Sequence, residues 1–127
     1  MNVMEKFTLE FPLEVTPKLL FTLISTPEGL CQWFAEGVEV QDDVFYFRWE
    51  GSRQSARLVH SSNNKGVKFQ WLEEPNKDLF LELQVIHEST STGVSLLVTD
   101  YAEAAEMDLS QRLWKTQVGH LQRLFSS

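Results

Sequence analysis

The stretch Ser25–Phe34, S-T-P-E-G-L-C-Q-W-F, carries the clearest fold signal in the chain. Threonine side chains accept hydrogen bonds from the free amides of a first helical turn, and proline suits the first helical position. Thr26-Pro27 therefore predicts a helix start, and the helix is expected to run to about Phe34. Leu30, Trp33 and Phe34 are spaced so that they share one face of this helix.

The residues on the N-terminal side of this stretch predict a strand and another short helix. Residues 7–14 alternate apolar and polar side chains, which is the period of a half-buried strand. Pro12 has no amide hydrogen to donate, so this strand is expected at or near a sheet edge. Thr16-Pro17 repeats the helix start signal and predicts a helix to about Ile24, whose apolar stripe is Leu19, Leu20, Leu23 and Ile24.

The residues on the C-terminal side alternate with the period of strands as far as Tyr101. Clusters of turn-forming residues divide this region, and the spacing is typical of an antiparallel meander. The predicted strands are Val38–Val40, Val44–Trp49, Ser55–His60, Val67–Trp71, Leu79–Val85 and Val94–Tyr101.

The C-terminal segment returns to a helical period. Its apolar stripe consists of Leu109, Leu113, Trp114, Val118, Leu121, Leu124 and Phe125. An antiparallel sheet with one apolar face needs a cover, and this helix is the only predicted element large enough to supply it. The sequence therefore predicts a single α+β domain over residues 1–127, in which the sheet packs against the C-terminal helix and two short helices connect strands 1 and 2.

This order of elements resembles the helix-grip fold of START-like domains, the superfamily that includes the birch pollen allergen. The resemblance covers the whole chain, and the pattern is most similar to small single-domain bacterial members. A more distant likeness is to the domain found in activators of the heat-shock chaperone ATPase. The residues that carry the resemblance are Ser25–Leu30 with Trp33-Phe34, Phe47–Gly51, Phe69–Glu73, Thr99–Glu103, and Leu113-Trp114 with Gln117 and Leu121.

The resemblance implies a curved sheet wrapped around the long helix, with a cavity between them that binds apolar or amphipathic small molecules. The residues expected to line this cavity are Trp33, Phe34, Phe47, Trp49, Phe69, Trp71, Leu83, Val98, Asp100, Trp114 and Val118. Asp100 is included because it has the same parity as Leu96 and Val98, which is expected to point it inward. The alternative is that the whole set forms one close-packed core, as protein interiors usually do.

Charge and composition argue against several classes of function. The formal net charge is -7, and no cluster of Lys and Arg is present to displace counterions from nucleic-acid phosphates. No apolar stretch is long enough to span a bilayer, the N-terminus has no apolar signal segment, and Cys31 is the single cysteine; a cytoplasmic protein is therefore expected. His60, His87 and His120 lie on three different predicted elements, so neither a metal site nor a cofactor is expected.

Three classes of function stay open at this point. The first is noncatalytic binding of an apolar or amphipathic small molecule. The second is a protein-interaction module, either of the chaperone-activator kind or a homodimer, which an exposed patch of Tyr46, Phe80, Ile86 and Leu97 would favour. The third is an enzyme acting on a cyclic or aromatic compound, although no nucleophile with an adjacent base is apparent and Cys31 stands alone as a thiol.

Overall fold

The computed structural model of the protein describes residues 3–74, 76–87 and 93–125. The strands are β1 (Met4–Leu13), β2 (Gly37–Gln41), β3 (Val44–Trp49), β4 (Ser52–Ser62), β5 (Gly66–Trp71), β6 (Phe80–His87) and β7 (Val94–Glu103). The helices are α1 (Pro17–Ser25), α2 (Pro27–Leu30) and α3 (Met107–Phe125), and a short 3-10 turn at Ala104–Glu106 leads into α3.

The strands form one antiparallel sheet with the order β1-β7-β6-β5-β4-β3-β2. β2 to β7 follow one another as a meander, and β1 pairs with β7 as an edge strand of the sheet. The curved sheet holds α3, with α1 and α2 between β1 and β2, which confirms the predicted helix-grip architecture. Pro12 lies in the edge strand β1, where its missing amide hydrogen interrupts no internal ladder.

The two Thr-Pro pairs begin α1 and α2 as the sequence predicts. The Thr16 hydroxyl accepts a hydrogen bond from the Leu19 amide at 3.2 Å, and the Thr26 hydroxyl accepts one from the Gly29 amide at 3.0 Å. Gly29 permits the close contact of the two helices, because a Cβ there would overlap the Thr22 carbonyl oxygen and lie 2.6 Å from the Leu23 Cα.

α2 is shorter than predicted, because it ends at Leu30 and does not reach Phe34. The Leu30 carbonyl oxygen accepts the amides of Phe34 at 2.8 Å and Ala35 at 3.2 Å, which turns the chain toward β2. The turn also points the Trp33 ring back at α1, where its Nε1 donates to the Leu23 carbonyl oxygen at 2.8 Å. Trp33 and Phe34 are thus buried without the helical continuation that the apolar spacing predicted.

The buried face of α3 is narrower than predicted. Trp114, Val118 and Leu121 are buried against the sheet. The sheet covers only one side of the helix, so three members of the predicted stripe are half exposed: Leu109 at 50%, Leu113 at 55% and Leu124 at 47%. The stripe predicted for α1 is wrong in the same way at one position, because Leu19 is 44% exposed while its neighbours Leu20, Leu23 and Ile24 are buried.

Candidate functional site

A cavity of about 320 Å³ lies between the sheet and the N-terminal half of α3. Small-molecule sites usually have volumes of about 300–1,000 Å³, so this cavity suits a small ligand. The wall combines three indoles and a phenyl ring with five polar side chains and one leucine. The lining residues are Phe34, Trp49, Gln54, Trp71, Asn76, Asp100, Ser110, Leu113, Trp114 and Gln117.

Phe34 is the residue around which the aromatic wall is built. Its ring stacks on Trp114 of α3 at 5.5 Å between centroids and meets Trp49 of β3 edge-on at 5.4 Å. Its carbonyl oxygen accepts hydrogen bonds from Trp49 Nε1 at 2.7 Å and from Gln117 Nε2 at 3.0 Å. The turn after α2 is thereby joined to both β3 and α3, and the three walls of the cavity are held in a fixed relation.

Asp100 places one carboxyl group in this largely aromatic wall. β7 carries it beside α3, where its Oδ2 accepts a hydrogen bond from Trp114 Nε1 at 2.9 Å. Burial raises the pKa of Asp100 from the usual 3.8 to about 6, although the hydrogen bonds from Trp114 and from the Tyr101 backbone act in the opposite direction. Asp100 is therefore mostly ionised at neutral pH and loses its charge in mildly acidic solution.

The raised pKa makes the stability of the free protein depend on pH. Because the folded pKa exceeds that of an unfolded aspartate, the folded state binds more protons between about pH 4 and pH 6, and stability falls as pH rises through this range. Asp100→Asn stays neutral and keeps an oxygen that can accept from Trp114. We expect this variant to be more stable than the parent by about 1–3 kcal/mol at pH 7.5, with the difference disappearing toward pH 4. Urea unfolding at several pH values measures this difference.

The control variant is Asp43→Asn, which removes a carboxylate that is 65% exposed in the turn between β2 and β3. Its stability at pH 7.5 should stay within about 0.5 kcal/mol of that of the parent. If Asp100→Asn were also no more stable than the parent at pH 7.5, the carboxyl of Asp100 would not be desolvated.

The structure separates the residues predicted to line the cavity into two groups. Phe34, Trp49, Trp71, Asp100 and Trp114 lie in the cavity wall. The others are buried in the hydrophobic core beside it and do not reach the cavity: Trp33, Phe47, Phe69, Leu83, Val98 and Val118. The close-packed core and the cavity therefore lie side by side, and the predicted aromatic residues are divided between them.

Apart from Asp100, the polar side chains of the wall were not predicted from the sequence to line a cavity. Ser110 and Gln117 lie four residues before and three residues after Trp114, so helical spacing alone places them on the same side of α3 as that indole. Gln54 and Asn76 gave no comparable signal, because one follows the β3–β4 turn and the other lies in the loop before β6.

A larger cavity of about 400 Å³ borders β2, β3 and β4, but its wall is different in character. Arg48, Arg53, Glu39 and Glu73 contribute to it, so both signs of charge are present. An apolar ligand would have to desolvate these groups, which is costly without compensating partners. The indole-lined cavity is therefore the better candidate site for an apolar or amphipathic molecule.

Other groups that the sequence raised lie outside the cavity wall. Cys31 is exposed, and its thiol donates to the Glu36 carbonyl oxygen at 3.3 Å. In the part of the chain that the structure describes, no three His, Cys, Asp or Glu side chains are grouped closely enough to hold a metal ion. No described helix is both long enough and apolar enough to cross a membrane.

The family model of the START-like superfamily domain matches residues 1–127 of this chain. The chain belongs to the START-like superfamily. This START-like domain is 31% identical to BfR322 from Bacteroides fragilis, whose solution structure superposes with a TM-score of 0.66; the match covers 100% of this chain and 94% of that one. No curated protein matches the chain.

More distant solved structures share the START-like fold. The Aha1 dimer from Colwellia psychrerythraea is 15% identical with a TM-score of 0.80, and the match covers 93% of both chains. CalU16 from Micromonospora echinospora is 12% identical with a TM-score of 0.71, over 98% of this chain and 82% of that one. At these identities the likeness shows the fold alone.

Proposed function

We propose that this START-like domain binds an apolar or amphipathic small molecule, without catalysis, in the cavity between the sheet and α3. The observation that carries the proposal is the wall itself, in which Phe34, Trp49, Trp71 and Trp114 surround a space of about 320 Å³. Aromatic side chains of this kind supply large apolar contact areas with few rotatable bonds. The polar side chains at the same wall offer hydrogen bonds that would orient the polar end of an amphipathic ligand.

The composition of the wall favours binding over catalysis. Asp100 is the only titratable side chain among the described residues that line the cavity. Nucleophilic catalysis needs a nucleophile within hydrogen-bond reach of a base, and Ser110, the only hydroxyl of the wall, has no histidine or lysine beside it there. A single carboxyl group and three amides are sufficient to position a ligand.

An apolar dye tests the proposal directly. Nile red, which is uncharged, is expected to bind the parent protein and to become more fluorescent as it leaves water. Ser110→Phe adds a ring to the cavity wall and is expected to weaken dye binding by roughly tenfold or more, because the space is already at the lower end of usable volumes. A fluorescence titration of parent and variant gives both affinities.

Thr116→Phe is the matched control, because Thr116 is exposed on α3 and does not line the cavity. It should bind Nile red as the parent does. The proposal would be wrong if the parent bound no dye, or if both phenylalanine variants lost binding equally.

A second candidate function is contact with another protein chain, and the exposed leucines of α3 favour it. Leu109 and Leu113, one turn apart on α3, and Leu124 nearer its end are each about half exposed, and exposed apolar patches mark sites of contact with other proteins. The interface expected from Tyr46, Phe80, Ile86 and Leu97 has less support, because β4 and β5 separate Tyr46 from the other three. Native mass spectrometry of protein from its own cells distinguishes the two functions, since it reports a carried ligand and the number of subunits together.

A further inference from the structure

Asp100 has no cationic partner among the residues that the structure describes. Two ion pairs between described residues join Arg57 to Asp43 and Arg112 to Asp108, and neither involves Asp100. No Lys, Arg or His is among the described residues that line the cavity. A carboxylate offers about four acceptor positions, and the Trp114 indole and the Tyr101 amide account for two of them. Asp100 therefore keeps acceptor capacity for a ligand.

The charge of Asp100 is costly because the carboxyl is largely buried. Burial is the largest influence on its pKa, and it acts against the charged form. A buried charge without a paired opposite charge is strongly unfavourable, and a hydrogen-bonded cation beside it removes much of that cost. A cationic ligand would thus reduce the free-energy cost of burying the Asp100 charge. A neutral ligand would leave that cost unchanged.

The aromatic wall adds a second attraction for positive charge. The faces of indole rings carry negative electrostatic potential and attract ammonium groups, more strongly when water is excluded. Trp49, Trp71 and Trp114 all line the same space as Asp100. An anionic ligand would meet the Asp100 carboxylate, so the wall discriminates against negative charge.

We propose that the cavity selects amphipathic molecules that carry an organic cation, such as an alkyl or aryl ammonium group, with Asp100 as the counter-ion. The indoles and Phe34 pack around the apolar part of the ligand. This inference rests on the proposed binding function and names the chemical class of its ligand.

Three probes that share a phenylbutyl skeleton separate charge from shape: 4-phenylbutylamine, 4-phenylbutanol and 4-phenylbutyrate. Isothermal titration calorimetry at pH 7.5 is expected to show the amine binding roughly tenfold tighter than the alcohol, which is the size typical of a charge-assisted contact. The carboxylate should bind most weakly. In Asp100→Asn the ratio of amine to alcohol affinity should fall close to one, whereas Asp43→Asn should keep the ratio of the parent.

A measurement at pH 5 adds an independent readout. The amine keeps its charge there, and no other titratable side chain among the described lining residues faces the cavity from β3, β4, β5, β7 or α3. Protonation of Asp100 should therefore reduce the preference for the amine in the parent protein and leave Asp100→Asn unchanged.

The outcomes distinguish this inference from the function on which it rests. Equal binding of the amine and the alcohol by the parent would overturn the cation preference and leave small-molecule binding intact. A preference for the amine that survives in Asp100→Asn would also overturn it, because the cation would then be held elsewhere. Failure of all three probes to bind, together with failure of Nile red, would overturn both.

Discussion

Removal of residues 108–127 is expected to abolish cooperative unfolding. α3 supplies the buried side chains Trp114, Val118 and Leu121, and without them the part of the concave face that α1 and α2 do not cover is exposed to water. A sheet with a large uncovered apolar area has no stable packed arrangement. Urea titration followed by circular dichroism should give a gradual, noncooperative signal change for the truncated chain and a single sigmoidal transition for the parent.

Two single substitutions on the same helix serve as controls for the truncation. Leu121 is fully buried, so Leu121→Ala is expected to cost about 2–5 kcal/mol. Leu124 is 47% exposed, so Leu124→Ala should stay within about 0.5 kcal/mol of the parent. A truncated chain that unfolds cooperatively near the parent midpoint would show that α3 is not the cover of the sheet.

Trp33→Ala is expected to destabilise the fold by about 3–5 kcal/mol, the range for removing a large buried ring. The side chain is only 4% exposed and lies beside Phe34 and Trp114, at 5.7 and 6.3 Å between ring centroids. The substitution also removes the hydrogen bond that Nε1 donates to the Leu23 carbonyl oxygen. Equilibrium unfolding in urea measures the loss.

Trp33→Phe separates the ring from its hydrogen bond. It keeps an aromatic ring between α1 and α3 but has no donor for Leu23, so it should cost less than Trp33→Ala, about 1–3 kcal/mol. A loss below about 1 kcal/mol for the alanine variant, combined with altered Nile red binding, would instead place Trp33 at the cavity mouth.

The fold was predictable because its signals are local. The caps at Thr16 and Thr26 need only the next three residues, and the alternation along Val44–Trp49 directly gives the face of the sheet to which each side chain points. The end of α2 was not predictable in this way, because the spacing of Leu30, Trp33 and Phe34 fits a longer helix, whereas the chain turns after Leu30. The exposure of Leu109, Leu113 and Leu124 depends on how far the sheet extends around α3. The sequence of the helix itself does not give this extent.

The candidate site was predictable only in part, for a related reason. Strand parity placed Asp100 on the inner side of β7, and the structure has it in the cavity wall. Parity cannot decide which inward aromatic side chains border a space and which fill the core. Phe47 and Trp49 have the same parity on β3, yet only Trp49 reaches the indole-lined cavity, because it lies at the end of the strand. The division follows from three-dimensional packing.

The pairing of β1 with β7 has a consequence for how the chain folds. β2 to β7 can form successive hairpins from neighbouring residues, so their contacts close short loops. β1 is made early during synthesis, but Met4–Leu13 pairs with Val94–Glu103, which leaves the ribosome only after the rest of the sheet. Until then the apolar side chains of β1, including Phe7 and Leu13, lack their strand partner. The pairing of β1 with β7 is therefore expected to be a late folding step. Nascent chains that lack β7 should be the species most prone to aggregation and most in need of chaperones.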